Sequence, residues 1–115
     1  MTPQIQFRLR IRRNGEIAVG PGKISLLEAI ERTGSISAAG RELEMSYRRA
    51  WMLLDEINRS LKQPAVNTAA GGRQGGGTTL TPVGRELIQR YRQIEATAEQ
   101  AAAAELKKLI KLLAP

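Results

Sequence analysis

The sequence predicts a mainly α-helical domain with a small amount of β structure and a long C-terminal helix. Three observations predict it. Apolar residues recur at intervals of three and four over most of the chain, strict alternation is confined to residues 5–12, and five glycines fall within residues 71–77. The 115 residues suffice for one domain with a modest core.

The composition excludes several classes of protein. Neither cysteine nor histidine occurs, so no disulfide framework, thiolate nucleophile or common zinc site is expected. No apolar run approaches the ~18 residues of a membrane span, and the first ten residues do not resemble a secretory signal, so we expect a soluble, cytoplasmic protein. The net charge of +7 suits a polyanionic partner, either nucleic acid or another anionic surface.

Residues 5–12 alternate between apolar and polar side chains, which is the pattern of a half-buried strand. The apolar face carries Ile5, Phe7, Leu9 and Ile11. Asn14-Gly15 is the pair best suited to a tight hairpin turn, and Ile17 and Val19 return the chain. The opposite face is basic; we interpret it as an exposed charged edge that discourages aggregation, with a contact to DNA as the alternative.

Two short helices are predicted next. The first covers residues 23–33 and ends at Gly34, a residue type that favours the left-handed conformation after a helix. The second begins near Ser35 or Ser37, both good capping residues, and extends to about Leu43. Glu44 and Met45 then form a turn.

A third helix is predicted from the capping residue Ser46 to about Lys62. Its apolar residues recur at three and four, at Tyr47, Ala50, Trp51, Leu54, Ile57 and Leu61. We expect Trp51 to lie in the core and Tyr47 to be shared between the core and the surface. Arg48 and Arg49 should point outward.

The C-terminal third predicts a helix that begins at Thr81 and Pro82 and extends to about Leu113. Such a helix would span roughly 50 Å, longer than so small a domain can cover, so it needs a partner. The predicted dimerisation face consists of Leu87, Tyr91, Ile94, Ala98, Ala102, Leu106, Leu109 and Leu113.

The glycine tract lies between the third and fourth helices, flanked by two short β arms within residues 65–80. It is not a nucleotide-binding phosphate loop, because no lysine follows Gly77 and a strand-like "TTL" precedes the next helix. A slack linker is less consistent with the flanking β arms. We interpret the tract as the tip of a hairpin, with a mobile, merely solvated tip as the alternative.

This order of elements is that of a winged helix-turn-helix domain, in which the N-terminal part of the third helix reads base edges in the major groove. Arg48 and Arg49 can each offer a bidentate fork to guanine or bind phosphate, and Ser46 and Tyr47 can donate hydrogen bonds. Arg73 and Gln74 at the hairpin tip could contact DNA. The alternative for the two helix arginines is a solvated helix face.

The motifs "GSISAAGREL", "SYRRAW", "GGRQGGG" and "LTPVG" resemble the N-terminal DNA-binding domain of the molybdate-responsive ModE-type regulators, and more distantly the LysR-type regulators. The resemblance extends over nearly the whole chain. It implies a bacterial homodimer, built partly from the long final helix, that binds a palindromic operator in double-stranded DNA. The second-helix residues Ser35 and Ser37 would contact phosphates.

The chain departs from the family pattern in three places. Gln74 and Asn67 stand where a glycine and an acidic residue are expected, and the sequence ends at Pro115, whereas full-length members continue into β-barrel domains that bind molybdate. We therefore expect no cofactor, no metal and no molybdate binding. A module that pairs with a full-length regulator, or binds DNA with low specificity as nucleoid proteins do, is the alternative function.

Residues 1–80 thus form the predicted winged helix-turn-helix unit, with the helix-turn-helix at about 35–62 and the wing at about 65–80, and residues 81–115 form the dimerisation helix. Catalysis is not expected, since the carboxylates are scattered and no histidine can act as a base.

Overall fold

The structure, a computed structural model, describes residues 2–68 and 77–115 and contains four helices and two small antiparallel hairpins in these ranges. The helices are α1 (Pro21–Thr33), α2 (Ile36–Glu42), α3 (Tyr47–Ser60) and α4 (Pro82–Ile110). The strands are β1 (Ile11–Arg13), β2 (Glu16–Val19), β3 (Val66–Thr68) and β4 (Thr78–Leu80), with β1 paired to β2 and β3 paired to β4. The predicted fold class and element order are confirmed.

A single apolar cluster joins the first three helices to the second hairpin. It is built from side chains that face inward from α1, α2 and α3 and from the two strands that become the wing, namely Leu26, Leu27, Ile30, Ile36, Ala39, Ala50, Leu54, Ile57, Ala65, Val66 and Leu80. Because the wing strands contribute to this core, the wing base is fixed to the helix-turn-helix.

The predicted helix-terminal residues have the expected roles. Gly34 follows α1 with φ of 69°, and its N–H donates to the Ile30 carbonyl at 2.7 Å. The side chains of Ser35, Ser46 and Thr81 cap α2, α3 and α4, each accepting a backbone N–H at 3.0–3.1 Å. Local sequence therefore sets where each of these helices begins.

The predicted strand over residues 5–12 is wrong in extent. Strand β1 covers Ile11–Arg13 alone, and none of the backbone-to-backbone hydrogen bonds described outside helices and strands involves residues 2–10. Strand β2 has four residues before the chain enters α1, so it is too short to pair with the preceding segment. Of the apolar residues in the alternating segment, Phe7 and Leu9 are half-buried, with Leu9 packed against Val19, Ile24 and Tyr91, whereas Ile5 and Ile11 are exposed.

The predicted burial of Trp51 is also wrong, since 40% of this residue is exposed. The buried face of α3 consists of Ala50, Leu54 and Ile57, and α2 approaches it where Gly40 faces Ala50. A crossing made by such small residues leaves no space for an indole. Trp51 therefore lies beside the contact between the helices rather than in it.

Helix α4 ends at Ile110, three residues before the predicted end. The last turn tightens, because the N–H groups of Leu112 and Leu113 bond to carbonyls three residues back, each at 3.0 Å. The 29 residues of α4 span about 43 Å. Among the residues described, no helix is long and apolar enough to cross a membrane.

Two contacts fix the first half of α4 to the domain. The Arg92 guanidinium donates to both oxygens of Glu28 on α1, at 2.6 and 3.0 Å. The Tyr91 hydroxyl donates to the Leu9 carbonyl at 2.8 Å, and Tyr91 is 2% exposed. The helix beyond this point projects from the core, and the molecule is 57 Å in its longest dimension.

Replacing Tyr91 with phenylalanine should lower the free energy of unfolding by about 1 kcal/mol, because the Leu9 carbonyl loses its donor while the ring packing is kept. Burial raises the pKa of Tyr91 above its usual value near 10. A raised tyrosine pKa contributes stability below pH ~10 that is lost as the pH rises through the folded-state value. Urea unfolding at pH 7 and above pH 10 gives the free energy of unfolding of both proteins. The wild type should be more stable than Tyr91→Phe at pH 7, and this difference should shrink above pH 10. A difference that does not change with pH would contradict the prediction.

Candidate nucleic-acid interface

The turn between α2 and α3 has the hydrogen bonds of a Schellman motif. The Met45 N–H donates to the Gly40 carbonyl at 2.9 Å and the Glu44 N–H to the Arg41 carbonyl at 3.1 Å. Glu44 has φ of 56°, the left-handed conformation that this motif requires. Met45 is half-buried against the core. The turn therefore fixes the angle at which α3 leaves α2.

The buried stripe of α3 determines which side chains face outward. Each residue turns a helix by about 100°, so Arg48 lies about 150° around the helix from the centre of the stripe formed by Ala50, Leu54 and Ile57. Arg48 is exposed, in the first turn of α3. It is thus at the middle of the outward face, where a reading residue of a helix-turn-helix is placed.

Arg49 lies to one side of that outward face. It lines an open pocket of about 320 Å³ together with Arg10, Lys23 and Glu56. The Lys23 ammonium contacts the Glu56 carboxylate at 3.1 Å and donates to the Ile17 carbonyl, so its positive charge is neutralised by a group of the same chain. Arg49 and Arg10 therefore supply the uncompensated positive charge on this side of α3.

Ion pairs distinguish several of the other arginines from these. Arg32, Arg59 and Arg92 each hold a carboxylate within 3.0 Å, of Glu42, Asp55 and Glu28 respectively. Hydrogen bonds to these carboxylates raise the pKa values of Arg32 and Arg92 further. Within residues 2–68 and 77–115, no ion pair involves Arg48 or Arg49. Their guanidinium groups therefore have no carboxylate partner in the described part of the chain that a phosphate or a base would have to displace.

The three serines predicted to contact DNA are at helix N-termini. The Ser35 and Ser46 oxygens each accept a backbone N–H, and the Ser37 side chain is exposed in the first turn of α2. A hydroxyl that caps a helix keeps its hydrogen free to donate to a phosphate oxygen. Contacts from these serines to DNA stay predictions.

The wing is confirmed at its base. Strands β3 and β4 pair in register from Val66 opposite Leu80 to Thr68 opposite Thr78, and the Thr78 N–H donates to the Gly34 carbonyl at 3.1 Å. This bond connects the wing to the junction between α1 and α2. The predicted tip contacts, Arg73 and Gln74, lie outside the described residues.

The predicted dimerisation residues divide into two groups along α4. Leu87 and Tyr91 pack against this chain's own core, so they offer little surface to a partner. Beyond them, Ile94 and Leu109 are exposed by 49 and 56% and Leu113, after the helix, by 57%. Ala98, Ala102 and Leu106 are half-buried.

A family model described as the bacterial regulatory helix-turn-helix protein, lysR family, matches residues 22–85. That range begins in α1 and ends in the first turn of α4, so it includes the whole helix-turn-helix and the wing. The chain belongs to the LysR family of bacterial regulatory helix-turn-helix proteins.

Curated relatives of this LysR-family chain include two proteins whose names mention molybdenum and a transcriptional regulator. It is 50% identical over 78 residues to the molybdenum-pterin-binding protein MopB of Rhodobacter capsulatus and 45% identical over 84 residues to the molybdenum transport protein ModE of Azotobacter vinelandii. It is 36% identical over 88 residues to the DNA-binding transcriptional dual regulator ModE of Escherichia coli K12. These alignments cover 68, 73 and 76% of this chain but 29, 31 and 34% of the relatives, so the chain spans about a third of their length.

The fold of the LysR-family domain also has a solved neighbour, a crystal structure of the BenM DNA-binding domain in complex with catB site 1 DNA. The TM-score is 0.56 at 15% identity, with 82% of this chain and 97% of that chain covered. At this identity the likeness establishes the winged helix-turn-helix fold with its long helix.

Proposed function

We propose that the chain is the DNA-binding part of a ModE-type transcriptional regulator, and that it binds a palindromic operator as a homodimer. The observation that carries the proposal is the first turn of α3, where Arg48 points outward and Arg49 flanks it, neither paired with a carboxylate of the described chain. That turn contains no acidic residue, so the positive N-terminal end of the helix adds to their charge.

In the proposed complex, α3 enters the major groove with Arg48 directed at base edges and Arg49 at the phosphates beside the groove. Ser35 and Ser37 are at the start of α2, from which side chains reach the DNA backbone in helix-turn-helix complexes. Contacts from Arg73 and Gln74, which lie outside the described residues, belong to the proposal as well. Two copies related by a two-fold axis would read two half-sites, which makes the operator palindromic.

Selection of bound sequences from random duplexes tests sequence-specific binding. We expect an enriched motif with two inverted half-sites. If the selection enriches no motif and the protein binds all duplexes tightly at low salt, sequence-specific binding is contradicted and low-specificity DNA binding is favoured.

The homodimer is proposed from the partly exposed apolar surface of α4. The helix projects beyond Tyr91, and its apolar residues from Ile94 to Leu109 lie on the stripe that the sequence predicted for dimerisation. Exposed apolar side chains at this spacing are stabilised when a second helix covers them. A second copy of the chain supplies such a helix.

A matched pair of variants tests this surface. Ala102 lies on the stripe, whereas Ala104 lies about 160° from Ala102 around the helix. Light scattering at micromolar concentration should give twice 12.6 kDa for the wild type and for Ala104→Glu, and a mass shifted toward the monomer for Ala102→Glu. Equal masses for the two variants would contradict the proposal that α4 forms the interface. A monomeric wild type would contradict the homodimer itself.

We further propose that residues 1–115 by themselves bind no molybdate. The resemblance to the ModE-type regulators assigns molybdate binding to the β-barrel domains, and residues 1–115 resemble the DNA-binding domain alone. Calorimetric titration of the chain with molybdate should give no binding heat beyond dilution, and a saturable isotherm would contradict the proposal.

A further inference from the structure

The exposed surface of α3 carries a cluster of apolar side chains as well as an arginine. Tyr47, Trp51 and Met52 are exposed by 57, 40 and 48%. The two rings meet edge to face with their centroids 6.1 Å apart. In the described ranges, the other large hydrophobic residues exposed to this degree all lie in the first eleven residues or in and after α4, namely Ile5, Ile11, Ile94, Leu109, Leu112 and Leu113.

Two of these side chains, Trp51 and Met52, have a defined position relative to Arg48. Trp51 follows Arg48 by three residues and Met52 follows it by four, so both are its neighbours on the helix surface. Trp51 lies about 100° from the buried stripe of α3 on one side, and Arg49 lies about 100° from it on the other. The outward face therefore has Trp51 at one edge, Arg48 and Met52 along its middle, and Arg49 at the other edge.

We propose that Trp51, held by Tyr47 and continued by Met52, is a specificity-determining residue that contacts thymine 5-methyl groups in the major groove. This inference rests on the proposed function, since it requires α3 to enter that groove. The 5-methyl is the one apolar group that a base pair presents there, and apolar side chains recognise it by contact. The Tyr47 ring restricts the indole, so Trp51 meets the groove already ordered.

The charges around the cluster favour DNA over a protein partner as the occupant. The first turn of α3 has no acidic residue, and Arg48 adjoins both Trp51 and Met52. The nearest carboxylate farther along this face, that of Asp55, is paired with Arg59 at 3.0 Å. A surface with apolar groups beside an unpaired arginine is complementary to a guanine flanked by thymine.

The arrangement makes a prediction about sequence. The base pair that Trp51 contacts should be a T·A or A·T pair within one or two steps of the base read by Arg48. Replacing that thymine with uracil removes the methyl group and leaves every hydrogen-bonding group unchanged. We expect the substitution to weaken binding by the wild-type protein about four-fold, because that is the change in affinity expected when one buried methyl group is lost.

The experiment measures affinity for the selected operator and for a set of duplexes with one thymine at a time replaced by uracil. The wild type should respond to one or more of these replacements, Trp51→Phe should keep most of the response, and Trp51→Ala should lose it. Leu112→Ala, an apolar truncation at a residue 81% exposed beyond the end of α4, is the matched control and should respond like the wild type.

A second measurement uses the fact that Trp51 is the single tryptophan of the chain. Acrylamide quenching of its fluorescence should fall when operator is added, because DNA covers the exposed indole, and circular dichroism of Trp51→Ala should verify that this variant is folded. If the selection yields no operator, the proposed function fails and this inference with it. If an operator is found but wild type and Trp51→Ala respond alike to uracil, or quenching is unchanged, the inference alone is overturned.

Discussion

Replacing Arg48 with alanine is expected to relax the sequence preference at one base pair of each half-site and to cost about 1–3 kcal/mol of binding free energy at the preferred sequence. The reason is geometric. Arg48 is at the middle of the outward face of α3, and its guanidinium is not engaged by any carboxylate of the described chain. A bidentate fork to guanine O6 and N7 is the arginine contact that discriminates between bases.

Arg49→Ala should behave differently, although the two arginines are adjacent in the sequence. Arg49 lies at the edge of the face, over the pocket that it shares with Arg10 and the internally paired Lys23. A contact from this position to phosphate carries no base preference. We expect Arg49→Ala to lose a similar amount of affinity on all DNA sequences. The slope of the logarithm of the binding constant against the logarithm of the salt concentration should become shallower by about 0.9.

The measurement is a binding titration against the selected operator and its single-base variants at several salt concentrations. Lys111→Ala removes the same charge at the far end of α4 and should leave the base preference unchanged. Arg48→Lys tests the fork itself, because an ammonium cannot bind two acceptors in a fixed plane. If Arg48→Ala weakened all sequences equally, Arg48 would be a phosphate contact; if Arg49→Ala relaxed one position, the roles would be reversed.

The largest expected effect on stability is that of Gly84→Ala. Gly84 is buried in the first turn of α4, where an added Cβ would lie 2.2 Å from the Ala65 carbonyl oxygen. That carbonyl cannot retreat easily, because it accepts the Thr81 N–H at 2.9 Å while the Ala65 N–H donates to the Asn58 side chain at 2.9 Å. We expect a loss of about 3 kcal/mol in the free energy of unfolding.

Gly22→Ala is the matched control for this prediction. Gly22 is also in the first turn of a helix, and an added Cβ there meets no atom within 4 Å. The control should therefore be neutral or more stable by up to about 1 kcal/mol, since alanine favours helix more than glycine does. Denaturant unfolding followed by circular dichroism at one fixed protein concentration separates the two variants, and a Gly84→Ala protein as stable as the control would refute the close contact.

Gly84 also illustrates a residue that the sequence pattern contained but did not explain. The motif "LTPVG" indicated a capped helix beginning with proline, and the cap and the proline position are confirmed. The reason for the glycine is a contact with Ala65, nineteen residues earlier in the chain. No local pattern carries that information, because the contact exists once the wing base and α4 have packed together.

Trp51 and the N-terminal segment were predicted wrongly for related reasons. A spacing of three and four placed Trp51 on the apolar stripe of α3, but the width of the buried stripe depends on how closely α2 approaches, through Gly40 and Ala50. Alternation over residues 5–12 correctly indicated that Leu9 packs against the domain, yet it could not tell whether the neighbouring element would be a strand or α4.

By itself, the sequence determined the fold class, the order of the elements, the capping residues of the helices and the place of Arg48 on an outward face. These follow from interactions within a few residues, such as caps, turns and helical periodicity, which act before the chain packs. The tertiary structure decided which arginines remain unpaired, which apolar side chains stay in water and where Gly84 is required. Those outcomes depend on distances between residues far apart in the chain, and packing alone sets such distances.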